Sequence, residues 1–135
     1  MASKIYTLEV ATRERTQMVD ITSEVNRIVA KSGVVEGICH LFVPHTTAGL
    51  TINENADPTV TADILMELNK IIPFEDGYRH SEGNSAAHIK SSLTGVSLSV
   101  FVTGGRLLLG TWQGVYFCEY DGPRRRKVLI KVIEG

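Results

Sequence analysis

Four histidines, at positions 40, 45, 80 and 88, carry most of the chemistry this sequence offers. His45 follows Pro44 and precedes Thr46-Thr47, where a strand-like pattern breaks. His80 lies in a polar stretch, and His88 stands eight residues later, in the first turns of a short helical pattern. A loop histidine and a helix histidine so placed can converge, and His45 can join them through the tertiary fold. Three imidazoles that leave a fourth position open suit zinc and related divalent ions. No HxH or HExxH pair occurs, so spacing alone does not specify a metal. His40 falls inside an apolar run and is expected to be structural or packed at an interface.

The polar company of these residues extends the candidate set. Glu54, flanked by Asn53 and Asn55 and followed by Asp57, ends the segment that begins just after His45. Glu82 and Asn84 lie between His80 and His88. Carboxylates and amides there could orient imidazoles or act as a general base. Asp57 before Pro58 also reads as a plain helix N-cap, and Glu54 as an exposed strand end. In Gly110-Thr111-Trp112-Gln113-Gly114 the flanking glycines predict a bulge or sharp bend, with Thr111 and Gln113 as ligand contacts. Trp112 reads either as core or as part of a ligand platform.

Arg124-Arg125-Arg126-Lys127 follows the turn Asp121-Gly122-Pro123. The block reads as a solvated hairpin tip or as a local anion site, because guanidinium groups fork onto phosphate. Arg124, next to the turn, is the candidate contact. Cys39 and Cys118 lie far apart in apolar runs and read as buried thiols. No phosphate-cradling glycine loop and no serine or cysteine nucleophile elbow is present.

The elements that must position these residues follow from periodicity. Ile5 to Ala11 alternates as a half-buried strand, and Met18 to Ile21 can form a second. Thr22 is the expected cap of a helix over 23–32, closed by Gly33. Val34 to Val43 is almost continuously apolar, which predicts a strand covered on both faces. Thr46 to Glu54 resumes as a strand. Asp57-Pro58 then opens a helix whose Val60, Ile64, Leu65, Leu68 and Ile72 recur at helical spacing until Pro73. Residues 73–84 read as a loop, and a short helix capped at Asn84 or Ser85 runs to Gly95. Strands over 96–102, 106–109, 115–120 and 127–133 complete the chain, the first pair joined by Gly104-Gly105. Strands and helices in blocks, ending in a meander, predict an α+β fold with mainly antiparallel sheet.

At 135 residues, 43% hydrophobic and 21% charged, the composition is that of one globular domain. A net charge of −1 gives no general attraction to nucleic acid or acidic membranes. No apolar stretch is long enough for a membrane helix, and none at the N-terminus resembles a secretory signal, so the cytoplasm is expected.

The motifs Pro44-His45-Thr46-Thr47-Ala48, Ile52 to Pro58, His80 to Lys90 and Gly110 to Phe117, with Asp121-Gly122-Pro123-Arg124, together resemble the YjbQ family. Its members are described as secondary thiamine-phosphate synthase enzymes. The resemblance implies a β-sandwich with two to three helices and a homotrimer with its pocket near the subunit boundary. It implies a divalent ion, zinc or magnesium, on His45, His80 and His88, with Glu54, Asn84, Thr111 and Gln113 as catalytic neighbours. Trp112 and Arg124 would help bind ligand. Gly49 stands where alanine is common in the family, a change expected to be mild. The implied reaction joins hydroxymethylpyrimidine diphosphate to thiazole phosphate and releases diphosphate. Two other readings of the same residues are a different metal-assisted, hydrolytic reaction and a non-catalytic protein that binds a small anion.

Overall fold

Alternating residues build the first strand of the protein, whose computed structural model describes residues 4–135. β1 (Ile5–Ala11) turns Tyr6, Leu8 and Val10 inward, with Val10 buried. It pairs with β8 (Arg125–Glu134), β8 with β3 (Gly37–Phe42), and β3 with β5 (Ser97–Thr103). Gly104 and Gly105 then turn β5 into β6 (Arg106–Leu107). Their φ angles, 58° and 75°, are those of the type I′ turn that a two-residue hairpin favours. The result is a five-stranded sheet in the order β1-β8-β3-β5-β6. A smaller sheet has the order β2-β7-β4, from Gln17–Asp20, Gln113–Glu119 and Ala48–Glu54. All the pairings are antiparallel.

The core lies between the sheets. Cys39, Leu41, Val100, Val128, Ile130 and Val132 of the large sheet meet Ala48, Leu50, Val115 and Phe117 of the small one. α1 (Thr22–Ser32) adds the fully buried Val25 and Val29 and stops at Gly33, whose φ of 77° suits glycine. Thr22 is the first residue of this helix and does not cap it. Its hydroxyl donates to Asp20 Oδ1 (2.6 Å) and accepts from the Val115 N–H (2.9 Å), tying the helix start to β7.

The outer face of the small sheet is covered by α2 (Pro58–Ile71) and α3 (Ser85–Thr94), where Tyr116, Cys118 and Tyr120 meet Leu68 and Ala87. Asp57 caps α2 as expected, its Oδ1 accepting from the Thr59 N–H at 2.9 Å. Asn84 precedes α3 without a side-chain cap bond. The Ser91 hydroxyl donates to the Ala48 carbonyl (2.6 Å) and the Leu50 N–H to the Gly95 carbonyl (3.1 Å), holding α3 against β4. A Cβ on Gly49 would lie 2.5 Å from the Gly95 carbonyl oxygen, so alanine there is not a mild change at this spacing.

β3 differs from its reading as a strand covered on both faces. It spans only Gly37–Phe42, and while Cys39 and Leu41 are buried, His40 and Phe42 are exposed. The large sheet has the core on one side only. Its outer side leaves Ile5, Phe42, Phe101 and Ile133 exposed, so His40 lies on a surface, its Nδ1 at 2.8 Å from the Ser99 hydroxyl. Both cysteines are free and buried, and burial pushes their thiols up to about 11 for Cys39 and about 12 for Cys118. Among the described residues no helix is long and apolar enough to cross a membrane.

Candidate functional site

His45 lies just past β3, where the chain crosses from the large sheet to the small one. Its Nε2 accepts the backbone N–H of Lys127 at 2.9 Å. An acceptor at Nε2 makes the neutral ring the Nδ1–H tautomer, so Nδ1 is the donor left to face outward. Burial, with the charges of Arg126 and Lys127 and against the pull of Glu119, holds its pKa below the ordinary 6.5. His45 is therefore a neutral hydrogen-bond donor at pH 7.

Beneath it lies a buried ion pair. Glu119, fully buried on β7, accepts from Arg126 Nε (2.8 Å), from the same guanidinium's Nη2, from the Thr12 hydroxyl (2.7 Å) and from the Asp121 N–H (3.0 Å). Arg126 also donates to the Thr47 hydroxyl at 2.9 Å. Burial by itself would raise the carboxyl, but these hydrogen bonds outweigh it and hold Glu119 below its usual 4.5. The reading of Arg126 as a solvated charge is thus corrected: it points inward on β8 with Val128, Ile130 and Val132. The signal was available, because Arg126 continues the period-2 apolar row of β8 and Glu119 interrupts an otherwise apolar strand. A run of four basic residues concealed it.

Arg124 stays at the surface beside its turn. Its Nε donates to the Asp121 carbonyl (2.8 Å) and its Nη2 to Asp121 Oδ2 (3.1 Å), which also accepts from Asn84 Nδ2 (2.9 Å). That chain joins the 121–124 turn to the start of α3. His80 and His88 meet edge to face, with ring centroids 5.5 Å apart. His80 Nε2 stands 3.9 Å from Glu82. An open cleft of about 480 Å³ gathers these groups: all three histidines, Thr46 and Thr47, Asn84 and Arg124 border it.

Glu54, Thr111, Trp112 and Gln113 lie elsewhere. Glu54 pairs with Gln113 at one end of the β4–β7 ladder, and Ala48 with Glu119 at the other. Six residue steps of antiparallel strand separate the two ends by about 20 Å. Gln113 closes its own turn, its Oε1 accepting the Gly110 N–H at 2.8 Å. Trp112 is exposed, not core. One chain therefore holds two separate halves of the expected site.

The three histidines do not fit a shared ion as arranged. Among the described residues no three His, Cys, Asp or Glu side chains stand at metal-binding spacing. His45 also has Nε2 engaged and Nδ1 protonated, so coordination would require releasing the Lys127 amide. What the cleft offers directly is imidazole and hydroxyl donors beside a guanidinium, a set suited to phosphate oxygens.

Known proteins share this sequence and fold over nearly the whole chain. The chain is 52% identical over 128 residues to UPF0047 protein YugU of Bacillus subtilis, covering 94% of this chain and 97% of that one. It is 49% identical over 129 residues to UPF0047 protein MJ1081 of Methanocaldococcus jannaschii, covering 96% and 94%. A crystal structure of a yjbq/upf0047 family protein from Clostridium acetobutylicum, 53% identical, superposes with a TM-score of 0.93 over 95% of this chain and 99% of that one. With the family match running over residues 6–135, the chain belongs to the UPF0047 protein YjbQ-like family.

Proposed function

We propose that this protein is a cytoplasmic transferase for phosphorylated small molecules, joining hydroxymethylpyrimidine diphosphate to thiazole phosphate. In that reaction the thiazole ring nitrogen forms a C–N bond to the pyrimidine's methylene carbon as the C–O bond to diphosphate breaks. The pair from that C–O bond leaves with the diphosphate oxygen, so stabilising that anion is the main task. The observation that carries the proposal is the convergence of His45, His80, His88 and Arg124 on one open cleft. Arg124 takes the leaving diphosphate, pre-aimed by Asp121. The Nδ1–H of His45 donates to a phosphate oxygen, and His80 or His88 supplies a proton as charge develops. A divalent ion would come as part of the substrate, neutralising the diphosphate that Arg124 meets, and would not reside on His45, His80 and His88. Formation of thiamine phosphate by the purified protein, with loss of turnover in His88→Ala, tests the reading; no product under any divalent ion would reject it.

Arg124→Ala should weaken binding of diphosphate by about 1.5–3 kcal/mol, the scale of a hydrogen bond to a charged group. Calorimetric titration measures this, and unchanged affinity would remove Arg124 from the site. Zinc assayed in dialysed protein should fall well below one ion per chain. A stoichiometric ion lost in His45→Ala, His80→Ala and His88→Ala alike would restore the three-histidine centre.

Glu54, Thr111, Trp112 and Gln113 enter the proposal through assembly. In a homotrimer, the end of β4–β7 in one subunit would complete the histidine cleft of the next. The exposed apolar outer face of the large sheet supports association, since such patches usually mark contact surfaces. The separation of the two halves also favours a second reading: a chain that stays single would bind a small anion without catalysis.

A further inference from the structure

A second opening, of about 560 Å³, adjoins the histidine cleft and shares His80 with it. Arg15, Phe74, Tyr78 and the backbone at Gly77 and Gly83 border it. The Phe74 ring takes two cations, the Arg15 guanidinium at 3.7 Å and the Lys90 ammonium at 4.4 Å from its centroid. Lys90 is fully buried, and its ammonium donates to the neutral Asn69 amide at 2.7 Å. Neither Arg15 nor Lys90 forms an ion pair among the described residues, although Glu75 and Asp76 border the same opening. Burial, and then the charge of Arg15, hold the Lys90 pKa below its ordinary value. Two cations this close, one stripped of water and neither matched by a carboxylate, leave a positive field that an anion in the opening would relieve. The Arg15 carbonyl accepts the Gly122 N–H at 3.0 Å, which fixes the Arg15 backbone against the turn that carries Arg124.

We infer that this second opening is an anion subsite contacted by Arg15, so that the two adjoining openings hold two phosphate-bearing ligands with His80 between them. The inference rests on the proposed transfer reaction, which needs two phosphorylated reactants side by side. Lys90 contributes through its field without touching the ligand.

Amide NMR of the full chain titrated with inorganic phosphate separates the two subsites. Gly77 and Gly83 report the second opening; Thr46, Thr47 and Lys127 report the first. Both sets should shift in the wild type. Arg15→Ala should weaken the Gly77 and Gly83 response by about tenfold or more while sparing Thr46 and Thr47, and Arg124→Ala should do the reverse. Arg15 is exposed, and the same spectra report whether the variant is folded. Unmoved Gly77 and Gly83 signals, or equal losses at both sets in Arg15→Ala, would overturn the subsite. Loss of the first set alone would instead count against the histidine cleft and leave the second standing.

Discussion

Arg126→Ala is expected to lower the free energy of unfolding by about 3–5 kcal/mol, because it strands a fully buried carboxylate. Glu119 would keep the Thr12 and Asp121 hydrogen bonds but lose both guanidinium contacts, and Thr47 would lose its donor. The pH dependence identifies the cause. In the wild type the Glu119 carboxyl titrates below its ordinary 4.5, so its stabilising contribution is complete above that value and is lost as the pH falls beneath it. In the variant the unpaired carboxyl is pushed upward, so the deficit should be largest at neutral pH and shrink on acidification. Urea unfolding of both proteins between neutral pH and pH 4 measures the gap. A constant small difference would return Arg126 to the surface role its basic neighbours suggest.

The second large effect concerns assembly. Glu54→Gln and His88→Ala should each abolish thiamine phosphate formation, yet a mixture refolded together should regain activity. In a closed ring of three, random mixing gives about one quarter of the junctions an intact histidine half facing an intact Glu54 half. Recovered turnover near that fraction, with a trimer mass by light scattering, is the expected outcome. A monomer at micromolar concentration, or a mixture as inactive as its parts, would rule out a site shared between subunits.

The fold was legible where local signals agreed. Asp57-Pro58 with its apolar row announced α2, and the glycine pair announced the β5–β6 turn. The cleft was legible by residue type, since His45, the stretch holding His80, Asn84 and His88, and Arg124 are three separate segments that border one opening. What one sequence could not supply was register. The inward turn of Arg126 follows from its pairing opposite Val10, and the distance from Glu54 to His45 follows from the direction in which β4 runs. Nor does an apolar run reveal whether anything covers its second side. Phe42, His40 and Ile38 read as interior, yet the large sheet has its core on only one face.

Gly49 has a consequence that reaches beyond its own position. The missing side chain lets the Thr94–Gly95 end of α3 rest directly on β4, and α3 carries His88. Wherever a relative has alanine there, the methyl must be accommodated by moving the backbone at Gly95 or the Thr94 hydroxyl, and a shift of the helix would carry the imidazole with it. Divergence at this position would thus alter the width of the cleft while every group that meets ligand stays chemically the same.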